Sequence, residues 1–262
     1  MGAGHPHVQD AFVIETAEIA ENLWLTWLGG VEAHRSARPG QFFMFMPGFS
    51  DDPLLPRPMS YHRFRDRDGA FEFAVLYSIV GRGTGWLAER RPGDEVPVLG
   101  PLGNGFDVRP DSGNLLCVAG GVGVAPFAAL ADEAIRHGRS VLLAMGARTA
   151  SMLLPAPLVP AEVEIAVATD DGTAGHRGPV SELFERHLAW CDQAFACGPT
   201  PMFHALAAIR RRSRWRKPVQ ALLEERMACG FGACYSCAVR PRRGGVKLVC
   251  RDGPQFDLLE MF

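Results

Sequence analysis

Leu115-Leu116-Cys117-Val118-Ala119 runs straight into Gly120-Gly121-Val122-Gly123-Val124-Ala125-Pro126, and this passage decides how the chain divides. An apolar run of strand length, a glycine-rich turn and a helical pattern over Ala125–His137 make the opening of a β–α unit. In such a unit, bare backbone N–H groups and the helix dipole both suit the pyrophosphate of a dinucleotide. Gly120, Gly121 and Gly123 are the candidate contacts. Pro126 stands where the common fingerprint has its third glycine, and proline is comfortable in the first turn of a helix. A plain tight turn is the alternative reading.

Downstream, strands expected at Val141–Met145, Val163–Ala168 and Gln193–Ala196 alternate with helices expected at Pro179–Leu188 and Pro201–Arg211. Alternation of this kind implies a parallel sheet covered by helices on both faces, with ligands at the carboxyl ends of its strands. Thr169–Gly178 and Cys197-Gly198-Pro199 each follow a strand end, which puts both on that edge. A small thiol and flexible backbone suit a planar nicotinamide ring, although Cys197 reads equally well as a buried structural cysteine. Cys117 and Cys191 sit in or beside apolar runs and read as core.

Upstream the texture differs. Short strands expected at Ala11–Glu15, Leu23–Leu28, Gln41–Met46, Phe71–Ser78 and Glu95–Leu99 suggest a small antiparallel β-barrel. Arg109–Asn114, with Pro110 and Gly113, reads as a linker. Within the barrel, Arg57-Pro58-Met59-Ser60, Leu76-Tyr77-Ser78 and Gly83-Thr84 hold anion- and ring-binding chemistry. Arg57 offers a planar fork to a pyrophosphate, Ser60 and Thr84 offer hydroxyls, and Tyr77 offers an aromatic face to a flavin. The helix implied after Gly83 would turn its N-terminus toward the anion. Singly, each of these also occurs in ordinary loops.

Near the other end, Cys229, Cys234, Cys237 and Cys250 are spaced C-x4-C-x2-C-x12-C. An even spread of the seven cysteines would put about 0.6 of one in a window of this length. The first three match the run that holds a plant-type [2Fe–2S] cluster, and Gly230 and Gly232 permit turns that point N–H groups at sulfide. A four-cysteine zinc site is the main rival, although structural zinc sites usually separate two C-x2-4-C pairs. Disulfides are a lesser one in a chain that is neither small nor signal-bearing.

With 262 residues and 47% hydrophobic content the chain has enough material for two domains and an appendage. A formal charge of −2 gives no general attraction for nucleic acid. Met1–His7 carries no secretory or myristoylation pattern, and no apolar run approaches the roughly 20 residues of a membrane span. A cytoplasmic location is expected. The basic run Arg210–Lys217 reads as a solvated helix end or as a docking patch for an acidic partner.

Taken together and in this order, Arg57-Pro58-Met59-Ser60, Gly120–Pro126, Thr169-Asp170-Asp171-Gly172 and Glu224–Cys234 resemble the electron-transfer subunits of class 1B dihydroorotate dehydrogenase, within the ferredoxin reductase superfamily. The likeness covers about Val8 to Phe262. It implies a multidomain β plus α/β fold: an antiparallel β-barrel FAD domain (1–108), a parallel-sheet NAD domain (109–222) and a small [2Fe–2S] subdomain (223–262). It further implies FAD held by Arg57–Ser60, Leu76–Ser78 and Gly83-Thr84, and the cluster held by Cys229, Cys234, Cys237 and Cys250. The partner implied is an FMN-containing dihydroorotate dehydrogenase catalytic subunit, in a hetero-oligomer of pyrimidine biosynthesis that delivers electrons to NAD. The likeness implies no obligatory acid–base residue. The rivals are the FAD and cluster subunit of a sulfide dehydrogenase or of an NADH-dependent ferredoxin:NADP oxidoreductase complex, and a non-catalytic zinc module. The acidic residue that would hold a ribose 2′-OH is missing, and Arg148 stands in that region, where it could receive a 2′-phosphate.

Overall fold

The computed structural model describes residues 8–48 and 53–262; Met1–His7, on which the leader reading rests, lie outside them. Seven strands form one antiparallel sheet: β1 (Val8–Ala20), β2 (Leu23–Gly29), β3 (Phe42–Phe45), β4 (Arg57–Ser60), β5 (Arg63–Arg67), β6 (Ala70–Tyr77) and β7 (Glu95–Leu102). Their order is β4-β3-β7-β1-β2-β6-β5. Side chains alternate across a strand, so Phe71, Phe73, Val75 and Tyr77 of β6 enter one core with Phe43, Phe45 and Tyr61. The sheet curls about that core: the His62 N–H donates to the Ala74 carbonyl at 2.8 Å, returning the β4–β5 corner to β6. Helix α1 (Arg82–Ala88) links β6 to β7.

A second sheet contains β8 (Asn114–Gly120), β9 (Ser140–Ala147), β10 (Glu164–Thr169), β11 (His176–Arg177), β12 (Gln193–Cys197) and β13 (Val219–Leu222), all parallel to their neighbours. Helices α2 (Phe127–Arg136), α3 (Val180–His187) and α4 (Thr200–Arg212) connect them. Alternate residues of β8 enter different cores, Leu116 and Val118 joining α3 and α4 residues while Leu115 and Cys117 join α2 residues. The sheet is therefore buried on both faces, in keeping with its unbroken apolar strands.

The remaining chain is interlocked with both sheets. It holds β14 (Ala238–Val239), β15 (Lys247–Leu248), α5 (Val249–Asp252), β16 (Gln255–Asp257) and α6 (Leu258–Met261). β16 adds an antiparallel edge strand to β13. Cys237, Leu248, Val249 and Cys250 share a core with Phe42, Met44 and Leu102 of the first sheet and with Leu116 and Val118 of the second. No helix among the described residues is long and apolar enough to cross a membrane.

Two histidines are sealed in the N-terminal half. His34 is 0% exposed, stacked on Phe73 at 5.1 Å and bonded through Nδ1 to the Tyr61 hydroxyl at 2.7 Å; its Nε2 has no partner. Burial lowers both His34 and His62 from 6.5 to about 4. A depressed folded-state pKa favours the neutral ring, so the stability it represents is full above 6.5 and is lost as pH falls through 4. Each histidine then removes roughly 3 kcal/mol, because every tenfold loss of proton affinity on folding is worth about 1.4 kcal/mol. Denaturant titrations between pH 7 and 4 are expected to show this fall, with a shallower slope for His34→Phe; parallel profiles for the two proteins would contradict it.

Candidate functional site

β8 and β12 are adjacent and parallel, with Cys197 opposite Ala119, so the glycine turn and Cys197-Gly198-Pro199 leave the sheet side by side. Gly121 adopts φ +56°. Contact between the two segments is backbone against backbone: a Cβ on Gly123 would fall 2.2 Å from the Cys197 carbonyl oxygen, and one on Gly120 would fall 2.7 Å from Pro199 Cδ. Gly121–Val124 winds as a single 3₁₀ turn ahead of α2, so the helix N-terminus faces this same edge. Cys197 is 2% exposed. Burial pushes its thiol well above the ordinary value, and the charge of Glu224 adds to this. Cys197 is thus a small neutral wall of the edge rather than a nucleophile.

At the end of β10 the chain closes on itself. Asp171 Oδ1 accepts from the Thr173 N–H at 3.0 Å and from its hydroxyl at 2.7 Å, which holds the carboxyl below its usual value. Arg148, just past β9, is exposed on the same edge, and its carbonyl accepts from the Asp171 N–H at 3.3 Å.

In the first sheet, Arg57 of β4 lies against the start of α1: a Cβ on Gly83 would meet Arg57 Nε at 2.8 Å. The Thr84 hydroxyl accepts from the Val80 N–H at 3.0 Å and donates to the Gly81 carbonyl at 3.2 Å. Asn22, in the β1–β2 turn, bonds both backbone groups of Ile79, at 2.9 and 3.3 Å. Arg57 and Gly83-Thr84 are thereby adjacent, with Ser60 at the other end of β4. Tyr77 departs from expectation. Its ring is 2% exposed, and its hydroxyl pairs with Thr26 Oγ1 at 3.0 Å; burial raises it to about 12. The period-two alternation that carries Phe71, Phe73 and Val75 inward carries Tyr77 inward too, so its ring belongs to the core.

The four clustered cysteines converge. Cys237 and Cys250 are each 2% exposed, with sulfurs 3.3 Å apart. Cys229 interacts with Cys234 and with Cys250. Backbone N–H groups point at sulfur, Ala233 at Cys229 (3.3 Å) and Cys250 at Cys237 (3.5 Å). Gly230 and Gly232 take φ of +79° and +91° to allow the fold of the loop. Hydrogen bonds from Ser236 draw Cys234 down to about 6, while burial pushes Cys250 up to about 12. All seven cysteines are free thiols. Among the described residues no group of three or more His, Cys, Asp or Glu side chains is already set to hold a metal ion. The sulfurs fall into two pairs, Cys229 with Cys234 and Cys237 with Cys250, and a two-iron cluster takes two thiolates at each iron. The donor set fits that group better than a tetrahedral zinc ion.

Two features escape the sequence. Glu224 is open to solvent yet recessed among protein atoms, which raises its carboxyl, and its charge reaches Cys197. His62 is buried and bonded to the Ala125 carbonyl at the end of the glycine turn, 2.7 Å away. The basic run, by contrast, is largely engaged with the fold. Arg210 bonds the Lys217 and Trp215 carbonyls, Arg212 pairs with Glu185 at 2.6 Å, and Lys217 pairs with Asp192. These contacts support the helix-end reading of that run.

The sequence model of the iron-sulfur cluster binding domain of dihydroorotate dehydrogenase B matches residues 224–261. The chain is 37% identical over 255 residues to the dihydroorotate dehydrogenase B (NAD(+)) electron transfer subunit of Desulforamulus reducens, spanning 95% of this chain and 96% of that one. The subunit of the same name from Bacillus caldolyticus is 39% identical over 243 residues, 91% and 92% of the two chains. Among solved structures, an NADH-dependent reduced ferredoxin-NADP oxidoreductase studied for flavin-based electron bifurcation superposes with a TM-score of 0.84 at 28% identity, over 96% of this chain and 89% of that one. A ferredoxin NADP+ reductase from Neisseria gonorrhoeae, solved with FAD and NADP, shares the fold at a TM-score of 0.63 and 17% identity, over 82% and 97%. With two sheets of the expected kinds, a paired-thiol segment at the matched residues and full-length identity above a third, the chain belongs to the family of dihydroorotate dehydrogenase B electron transfer subunits.

Proposed function

We propose that this chain carries electrons between a dihydroorotate-oxidising, FMN-containing partner subunit and NAD, in the cytoplasm, through its own [2Fe–2S] cluster and FAD. The observation that carries the reading is the convergence of Cys229, Cys234, Cys237 and Cys250 as two thiol pairs in the segment matching the family's iron-sulfur domain. The division of labour follows the sequence: FAD on 1–108, NAD on 109–222, cluster on 223–262. When bound, a flavin exchanges a hydride with a nicotinamide and single electrons with an iron–sulfur centre.

The residues supply the rest. Arg57, Ser60 and Thr84, with the backbone of Leu76–Ser78 and Gly83, hold FAD at the start of α1; Pro58 and Met59 shape β4 between them. Gly120, Gly121 and Gly123 take the NAD pyrophosphate, and Cys197-Gly198-Pro199 form the wall beside the nicotinamide. Exposed Cys234, with Phe231 at 54% and Tyr235 at 61% exposure, leaves the cluster loop open to a docking partner.

Anaerobic purification should give flavin and iron–sulfur absorption bands and a second, FMN-bearing subunit; a colourless chain with one zinc would overturn the proposal. A second reading, favoured by the 0.84 superposition, is the FAD and cluster subunit of an NADH-dependent ferredoxin-NADP oxidoreductase. In that case the co-purifying subunit would not oxidise dihydroorotate. Relatives named for NAD(+) favour NAD over NADP, and the exposed Arg148 is the residue to which a preference for NADP would be traced.

A further inference from the structure

Tyr61 and His62 form the corner between β4, which carries Arg57–Ser60, and β5. From this corner three groups reach across to the glycine turn and α2 of the second sheet. The His62 Nδ1–H donates to the Ala125 carbonyl at 2.7 Å. The His62 carbonyl accepts from the Ala129 N–H at 2.8 Å. Arg63 then grips Asp132 as a fork, Nε to Oδ2 at 2.7 Å and Nη2 to Oδ1 at 2.8 Å. Ala125, Ala129 and Asp132 stand four and three residues apart, which is one face of helical winding. A carbonyl only accepts, so Nδ1 carries the proton and this contact fixes the tautomer. His62 is 2% exposed, and a buried donor keeps its partner because leaving it unpaired is costly.

Ala125 is also the last residue of the glycine turn. Its own N–H is bonded to the Val122 carbonyl at 2.9 Å. Gly123, two residues earlier, lies so close to Cys197 that a Cβ there would fall 2.2 Å from the Cys197 carbonyl oxygen. His62, two residues beyond Ser60 of β4, is therefore bonded to a residue that lies two positions from the Gly123–Cys197 contact.

We infer that His62, braced by the Arg63–Asp132 pair, is a positioning residue that sets the distance and angle between the β4 segment and the glycine turn, and so the approach of nicotinamide to flavin. This rests on the assignment of FAD and NAD to those two segments. Its physical force is geometric: a displacement of about 1 Å between reacting partners costs on the order of a hundredfold in rate. Asparagine places an amide donor where Nδ1–H stands, so His62→Asn preserves the contact, whereas His62→Phe fills the space and removes it.

The test uses the full chain with its FAD and its partner subunit. Single-turnover reduction of the flavin by NADH, its primary isotope effect with 4-deuterated NADH, KM, and hydrogen exchange at the Ala129 amide are measured together. Expected for His62→Phe are reduction at saturating NADH slowed tenfold or more, a larger isotope effect, KM little changed and faster Ala129 exchange; His62→Asn recovers to within about threefold. Reduction and isotope effect at wild-type values in a His62→Phe chain whose Ala129 amide exchanges faster would overturn the inference alone. Should His62→Phe not fold, the cycle of Arg63→Gln, Asp132→Asn and the double variant decides. Coupled losses in the reduction rate support positioning, and additive or absent losses overturn it. A wild-type flavin that NADH leaves oxidised would overturn the cofactor assignment itself, and the inference with it.

Discussion

Cys250→Ser is expected to yield a chain that keeps FAD and is still reduced by NADH, yet holds almost no iron and exchanges electrons with its partner at least roughly a hundredfold more slowly. Losing a group that merely orients a metal ligand already costs about 10- to 100-fold in metal affinity, and loss of a ligand costs more. Cys250 is 2% exposed in α5, its sulfur 3.3 Å from that of Cys237. No other cysteine can replace it, because Cys117, Cys191 and Cys197 are buried in the second sheet's cores. Serine in its place offers a hydroxyl whose proton is far harder to displace than a thiol's. Because Cys250 belongs to none of the segments proposed to hold FAD, on β4, β6 and α1, reduction by NADH should change by less than about threefold. Iron per chain, flavin per chain and the two rates check each half. Full iron content in the variant would remove Cys250 from the ligand set.

Gly123→Ala is the other large effect. The added Cβ would stand 2.2 Å from the Cys197 carbonyl oxygen, 2.5 Å from its carbon and 2.8 Å from the Gly198 nitrogen. All three atoms are backbone, so no rotamer change relieves the clash; the turn or the end of β12 must retreat. Overpacking of this kind costs about 1–3 kcal/mol or more. In a chain of this size that is a fall in Tm of roughly 2–12 °C. Since either retreat shifts the glycine turn relative to Cys197, flavin reduction by NADH should drop about a hundredfold. Thermal melts and single-turnover reduction test both, and wild-type values for both would show that the turn has slack the packing denies.

Much of this fold is legible in the sequence, for local reasons. The helices expected at Pro179–Leu188 and Pro201–Arg211 form over Val180–His187 and Thr200–Arg212, because each starts beside a proline and carries its own periodicity. The strands expected from apolar runs at Leu115–Ala119 and Gln193–Ala196 fall short by only one or two residues. Two strands carry no such signal. Arg57–Ser60 holds a proline and reads as a cofactor loop, whereas it pairs with β3. Arg63-Phe64-Arg65-Asp66-Arg67 is charged because β5 lies at the sheet's edge, where charge discourages further pairing and erases the alternation a reader looks for. For Tyr77 the expectation fails in direction, although alternation from Phe71 points it inward. His62 is beyond the reach of local reading: its partner Ala125 is 63 residues away, and a lone histidine carries no signal of so distant a contact.

The pairing of β16 with β13 bears on how the chain is made. Until residues 255–257 arrive, β13 is the unpaired margin of the parallel sheet, with apolar Val219, Ala221 and Leu222 along it. Such a margin is a template for pairing with another chain. The same late segment closes two further contacts, Gln255 Nε2 to the Gly105 carbonyl at 3.0 Å and the Asn104 N–H to the Gly253 carbonyl at 2.7 Å. A chain in which residues 255–257 have yet to pair therefore keeps a sticky flank, and the pairing that covers it also ties down both ends of the segment that holds the four cysteines.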